Sequence, residues 1–205
     1  MKQGRGRPVP SVHVPAATPL DPDELDACIP THLETQEELN AWEAENIGQA
    51  MQWLAGKRAF DPLTVDALKD LHRHMFDHTW RWAGKFRKRM TNISPVPPEQ
   101  VAERLENLVR NYRSQYESSE KTAEALDELA LRFYHELVHV HPWPNGNGRH
   151  ARLATDLLLK RWSRPSFSWG RENISATGEA RDRYVSAVKA ADGGEYRLLR
   201  RFVRS

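Results

Sequence analysis

A single cysteine, Cys28, stands among the 205 residues. It can close no internal disulfide, and it rules out a cysteine-based zinc site within the chain. Long apolar runs are missing too. No stretch approaches the roughly 20 residues that a membrane helix needs, and the opening MKQGRGRPVPSV has none of the apolar character of a secretory signal. A cytoplasmic protein is expected. Charge of one sign is also lacking, with 30 Lys and Arg against 28 Asp and Glu and a formal net charge of +2. That leaves no global field to drive nucleic-acid binding, and the local clusters WRWAGKFRKR and YRLLRRFVRS read as solvated faces. Glycine is scarce, with 11 residues, yet Gly146 and Gly148 fall within three positions of each other.

What is present is enough for one well-buried core: 39% of residues are hydrophobic and 28% charged. Residues 1–34 are rich in proline and small residues and carry no helical period, so they read as an arm ahead of a domain spanning 35–205. The segment TQEE, starting at Thr35, is a capping box. Behind it Leu39, Trp42, Asn46, Ile47, Ala50, Met51 and Leu54 follow at helical spacing. Asp61-Pro62 is expected to cap a helix reaching about His74. Prolines and β-formers in HTWRWAGKFRKRMTNISPVPP suggest a loop with a small hairpin near 89–97. Further helices are expected over about 98–116, 122–140, 146–162, 181–191 and 195–204. No internal repeat is visible. The fold class is therefore all-α, a compact helical bundle with one small β-hairpin.

Residues 135–152, HELVHVHPWPNGNGRHAR, carry two chemistries at once. His-Glu-x-x-His, here His135 to His139, places two imidazoles on one helix face as in a zinc peptidase. The metzincin continuation fails, because Pro142 and Asn145 stand where a glycine and a histidine are needed. Glu172 or Glu179 remain as third ligands, without a recognisable companion motif. The second half is built for an anion. Glycines allow the backbone close to a ligand where a helix begins, and there the free N–H groups and the dipole favour negative charge. Arg149 and Arg152 lie three apart, on one face of the first turns, within reach of one polyphosphate. His141, just upstream, sits where an imidazole of ordinary pKa near ~6.5 can take a proton from an incoming hydroxyl.

HPWPNGNGRHAR resembles the signature of the Fic family: His-Pro-Phe, any residue, Asp or Glu, Gly-Asn-Gly-Arg, two residues, Arg. HTWRWAGKFR and the closing RDRYVSAVKAADGGEYRLLRRF are similar to family segments as well, so the likeness covers about 35–205. The stretch ATPLDPDELDACIPTHLETQEELNAWEAENI is further similar to a bacterial subfamily called mobile mystery protein B, found near mobile elements. The resemblance implies a protein adenylyltransferase that moves AMP from ATP, with Mg²⁺, to a Ser, Thr or Tyr hydroxyl of a target protein. It implies His141 as base. Gly146, Asn147, Gly148 and Arg149 would hold phosphates, and Arg152 the γ-phosphate end. Thr91, Asn92, Ile93 and Ser94 would form a flap that docks the target by strand addition.

The chain departs from the family pattern at two places. Asn145 stands at the acidic position that helps bind Mg²⁺, and an amide oxygen is a weaker ligand for a hard cation than a carboxylate. Trp143 replaces phenylalanine. Death-on-curing relatives, which phosphorylate, have Lys in place of Gly148, so the glycine here favours AMP transfer. Many family members are braked by a helix with the pattern Ser or Thr, three residues, Glu, then Gly or Asn. AWEAEN puts Glu45-Asn46 in that arrangement, with Ala41 in the hydroxyl place, and the expected contact is an ion pair from Glu45 to Arg152. SATGEA offers Glu179 as a competing brake. Other readings are an inactive or regulatory nucleotide-binding module, phosphotransfer or AMP removal, and the zinc peptidase. The mobile-element likeness adds a toxin-like role with an antitoxin-like regulator as partner.

Overall fold

The computed structural model describes residues 20–57, 59–170 and 178–205. Glu172 lies outside the described residues. The first long helix, α2 (Gln36–Ala55), follows a short α1 (Pro22–Leu25) and starts where its capping box dictates. Thr35 Oγ1 accepts from Glu38 N–H, and the Glu38 carboxylate accepts from Thr35 N–H at 3.0 Å. The buried stripe of α2 is Leu39, Glu43, Asn46 and Ala50, whereas Trp42 and Met51 are exposed. The helix is therefore turned relative to the apolar count, because its inward polar groups find partners. Asn46 donates to His74 O and accepts from His78 N–H and the Thr79 hydroxyl.

Helix α3 (Val65–Phe76) is capped by Thr64, not by Asp61-Pro62. Asp61 Oδ1 instead accepts from Leu63 N–H in the turn before it. Leu68, Leu71, His72, Met75 and Phe76 face inward. After a 3₁₀ turn at Pro98–Gln100 come α4 (Val101–Ser118), α5 (Ala123–Val140), α6 (Asn147–Arg161), α7 (Glu179–Asp192) and α8 (Arg197–Val203). Helix α5 is the central element, buried on most of its circumference and packed on α4, α6, α7 and α8. Leu131, Phe133, Tyr134 and Leu137 are all but fully enclosed, each apolar side chain of this kind contributing roughly 1.5–3 kcal/mol.

The expected hairpin at 89–97 is absent: among the described residues the only β pairing is an isolated bridge between Cys28 and Trp80. Pro95, Pro97 and Pro98 remove the donors a ladder would need. The segment is instead held by side chains, with Thr91 Oγ1 accepting from the N–H groups of Ile93 and Ser94. Residues 27–29 run beside 79–81, joined by Ile29 N–H to Thr79 O and Arg81 N–H to Ala27 O. No helix among the described residues is long and apolar enough to cross a membrane.

Candidate functional site

Helix α5 ends at His141, which adopts the left-handed conformation with φ 51° and ψ 59° and so turns the chain sharply into the loop 142–146. The His141 ring is 6% exposed, and its Nδ1 donates to Val138 O at 3.1 Å. That bond fixes the tautomer with the proton on Nδ1 and leaves Nε2 as the basic nitrogen. Burial lowers the His141 pKa to about 4, more than the Val138 bond raises it, and the Arg87 charge lowers it further. The imidazole is accordingly neutral at pH 7.

Below it the loop is stapled from inside. Asn147 Oδ1 accepts from Trp143 N–H at 2.9 Å while its Nδ2 donates to Trp143 O at 2.8 Å. The Asn147 side chain is thus spent on the loop, and only its backbone N–H is available to cradle a phosphate. Gly146 has φ 76°, and a Cβ there would come within 2.6 Å of the Phe76 ring. The glycine is required on both counts. The intrahelical ladder of α6 begins with His150 N–H to Gly146 O, so the N–H groups of Asn147, Gly148 and Arg149 lie ahead of it, at the positive end of the helix. A Cβ on Gly148 would meet only ordinary contacts, the Tyr184 hydroxyl at 3.7 Å and Arg152 Nη1 at 3.8 Å. Its small size is therefore not required by packing.

The two arginines diverge. Arg149 turns to α2 and α3, with Nη1 2.7 Å from Glu43 Oε2 and the guanidinium 5.0 Å above the Phe76 ring. Arg152 turns to α5 and α7, beside Tyr134, whose hydroxyl donates to that of Tyr184 at 2.7 Å. Burial, together with the neighbouring Tyr184, raises the Tyr134 pKa well above its ordinary value.

The expected contact of Glu45 with Arg152 is not made. Glu45 is exposed and accepts from Gln49 on its own helix, whereas Glu43, two residues earlier, is 4% exposed and faces the loop. Its other oxygen accepts from Trp80 Nε1 at 2.7 Å. The signal for Glu43 was in the sequence: Leu39, Glu43, Asn46 and Ala50 are spaced four, three and four apart on one face. Glu179 lies at the exposed start of α7, 3.7 Å from Arg183.

The residues present do not fit a protein-held magnesium ion. Asn145 Oδ1 accepts from Gly146 N–H at 2.5 Å, and its carbonyl accepts from His72 Nε2. The loop contains no carboxylate, and the nearby one, Glu43, is taken by Arg149 and Trp80. Among the described residues no group of three His, Cys, Asp or Glu is placed to hold a metal. The His135 and His139 pair points elsewhere. Both rings meet Asp192 Oδ1, at 2.9 and 3.4 Å, and His135 Nδ1 lies 3.0 Å from the Tyr196 hydroxyl. Glu136, the base a zinc peptidase would need, accepts from the Tyr112 hydroxyl at 2.8 Å.

Two supporting histidines escaped sequence reasoning. His72 Nε2 donates to Asn145 O and its Nδ1 accepts from Gly84 N–H, while its ring stacks on Trp143 with centroids 4.5 Å apart. His150 accepts from Trp143 Nε1 and donates to Leu68 O. Burial drives the His72 pKa well down and that of His150 to about 4. Both are neutral struts that fix Trp143, and nothing in their spacing distinguished them from surface histidines. Of the residues expected to dock a target, Asn92 and Ile93 are exposed, Thr91 is half-buried, and Ser94 is buried with its hydroxyl on His139 O at 2.6 Å.

The Fic/DOC family model matches residues 62–159. The chain is 29% identical over 147 residues to protein adenylyltransferase fic-1 of Caenorhabditis elegans, covering 70% of this chain and 27% of that protein. It is 28% identical over 145 residues to protein adenylyltransferase Fic of Drosophila melanogaster, with 69% and 27% coverage. The chain thus spans about a quarter of the length of these relatives. Among solved structures it is similar to BepC of Bartonella tribocorum with bound AMPPNP, at TM-score 0.67 and 17% identity over 83% of this chain and 87% of that one. It is also similar to a variant of Fic-1 from C. elegans, at TM-score 0.61 and 25% identity over 87% and 51%.

Proposed function

We propose that this chain, which the Fic/DOC family model matches over residues 62–159, acts as a Fic enzyme and transfers AMP from ATP to a hydroxyl side chain of a target protein. The observation that carries the reading is the neutral His141, with Nδ1 tied to Val138 O, one short loop away from the open first turn of α6. In the reaction His141 Nε2 takes the proton of the target hydroxyl as its oxygen bonds to the α-phosphorus. The bridging P–O bond to the β-phosphate breaks, and pyrophosphate leaves. The N–H groups of residues 147–149 and the guanidiniums of Arg149 and Arg152 bind the phosphates. Thr91, Asn92, Ile93 and Ser94 present the target segment beside His141.

The site is restrained by Glu43, which holds Arg149 away from a nucleotide and takes the braking role expected of Glu45. Magnesium, expected from the resemblance, has no built protein site, so Asn145 is assigned to the loop rather than to a metal. A toxin-like role with a regulator partner, in a bacterial cytoplasm, extends the same reading from the mobile mystery protein B likeness. The domain boundary at 35 belongs with it.

The test is intact-mass analysis of Glu43→Gln protein incubated with ATP, with Glu43→Gln/His141→Ala as control and ATP binding followed by calorimetry. An adenylyl addition that vanishes in the control is the expected result. ATP binding without any addition would favour the second reading, a regulatory nucleotide-binding module, to which the absent carboxylate at Asn145 already points.

A further inference from the structure

The C-terminal carbonyls of α5 are satisfied by a set of donors that no motif announces. A helix end leaves its last carbonyls without intrahelical partners. Here Val138 O accepts from the His141 ring and His139 O from the Ser94 hydroxyl. Val140 O accepts from Arg87 Nη2 at 3.4 Å, and His141 O from Arg87 Nε at 2.7 Å. The same guanidinium reaches into the docking segment, with Nη1 on Arg89 O and Nη2 on Val96 O, both at 2.6 Å. The Arg87 backbone N–H donates to Pro142 O at 2.9 Å.

Arg87 is 3% exposed, and every hydrogen bond its guanidinium makes is to a backbone carbonyl. Burying a cation is costly unless its donors are fully met. Carbonyls at the negative end of α5 meet this one, and only a planar fork can span them in two directions at once. His141 needs such a hold, because a non-glycine residue in the left-handed region is not held there by its own preference.

We infer that Arg87 is a positioning residue: it locks the backbone of His141 and the segment 89–97 into one geometry, so that base and target-docking segment keep a fixed separation. The inference rests on the AMP-transfer reading for its consequence but not for its geometry. Arg87→Lys keeps the charge and loses the fork. Arg87→Gln keeps two polar atoms and loses the charge.

The test combines ¹⁵N spectra of the histidine rings, thermal melting, ATP calorimetry and transfer rates on full-length Arg87→Lys and Arg87→Gln. In at least one variant that melts close to the parent, His141 should lose its single Nδ1–H tautomer. ATP affinity should stay within about twofold and transfer should fall about 10²-fold, the scale of a small misplacement of reacting groups. An unchanged His141 tautomer in both variants would overturn the inference, as would ATP affinity falling in step with melting temperature. The tautomer measurement stands even if the parent transfers no AMP, so failure of the clamp and failure of the functional reading are told apart.

Discussion

Glu43 Oε2 lies 2.7 Å from Arg149 Nη1, with the Glu43 side chain 5% and the Arg149 side chain 26% exposed. A carboxylate from the first long helix therefore holds the first arginine of α6. Because the pair is partly open to solvent, its strength is modest, on the order of 1–2 kcal/mol. Glu43→Gln keeps an acceptor for Trp80 Nε1 while removing the charge. We expect ATP to bind about tenfold more tightly, a change of about 1.4 kcal/mol, and the melting temperature to fall slightly. Glu45→Gln should leave both unchanged. Calorimetry that finds the gain with Glu45→Gln and not with Glu43→Gln would reverse the assignment.

Acid should unfold the protein through its buried imidazoles. The folded-state pKa values of His141 and His150 are lowered to about 4 and that of His72 is lowered as well, chiefly by burial. Unfolded histidines titrate near ~6.5. Between those values the unfolded chain binds more protons, so stability is fully present above about pH 6.5 and is lost as pH falls toward 4. Each of His141 and His150 accounts for on the order of 3 kcal/mol across that window. His150→Phe should flatten the dependence in melts taken from pH 7 to pH 4. An equally steep curve would point to carboxylates instead.

Asn145 makes a metal test possible. With no carboxylate in the loop, ATP affinity measured in EDTA should be within about threefold of that in Mg²⁺, since the protein supplies no ligand of the kind a hard cation requires. Asn145→Asp restores such a ligand, and Mg²⁺ should then tighten ATP binding by about tenfold or more. A strong Mg²⁺ requirement for ATP binding by the parent chain would show that the amide suffices.

Gly146→Ala should be among the most damaging single substitutions. The left-handed backbone costs about 1–2 kcal/mol, and a Cβ 2.6 Å from the Phe76 ring forces α3 and the loop apart at a further ~1–3 kcal/mol. Gly148→Ala, which meets only ordinary contacts, should fold normally and lose nucleotide binding. Denaturant melts and calorimetry on the two variants separate the packing glycine from the ligand-facing one.

His135→Ala removes a bridge between α5 and the α7–α8 end, leaving Asp192 and Tyr196 without their shared partner. Stability should drop by about 1–2 kcal/mol, with no change in metal content by elemental analysis. Loss of a stoichiometric zinc ion on this substitution would revive the metallopeptidase reading.

The helices were largely legible, because capping boxes and apolar periods are local: Thr35 with Glu38 and Thr122 ahead of α5 each state their own boundary, whereas α3 starts at Thr64 and not at Asp61-Pro62. The hairpin does not form, because the prolines at 95, 97 and 98 deny a ladder that the β-formers alone would favour. The segment from His141 to Arg152 stands out through its glycine spacing and histidine chemistry within twelve positions. Glu43 lies half a helical turn from Glu45, on the face that Leu39, Asn46 and Ala50 mark as buried.

The sequence alone determined an all-α chain and a glycine-bearing loop between the helix that ends at His141 and the helix that starts at Asn147. These follow from dihedral preferences, helix caps and the chemistry of neighbouring residues. Only the tertiary structure decided which carboxylate meets Arg149, that Arg87 ties His141 to the segment 89–97, and that His72 and His150 are neutral struts. Each joins residues 50 to 110 positions apart in the chain. Such partners are set by which faces pack together, and burial keeps His72 and His150 neutral.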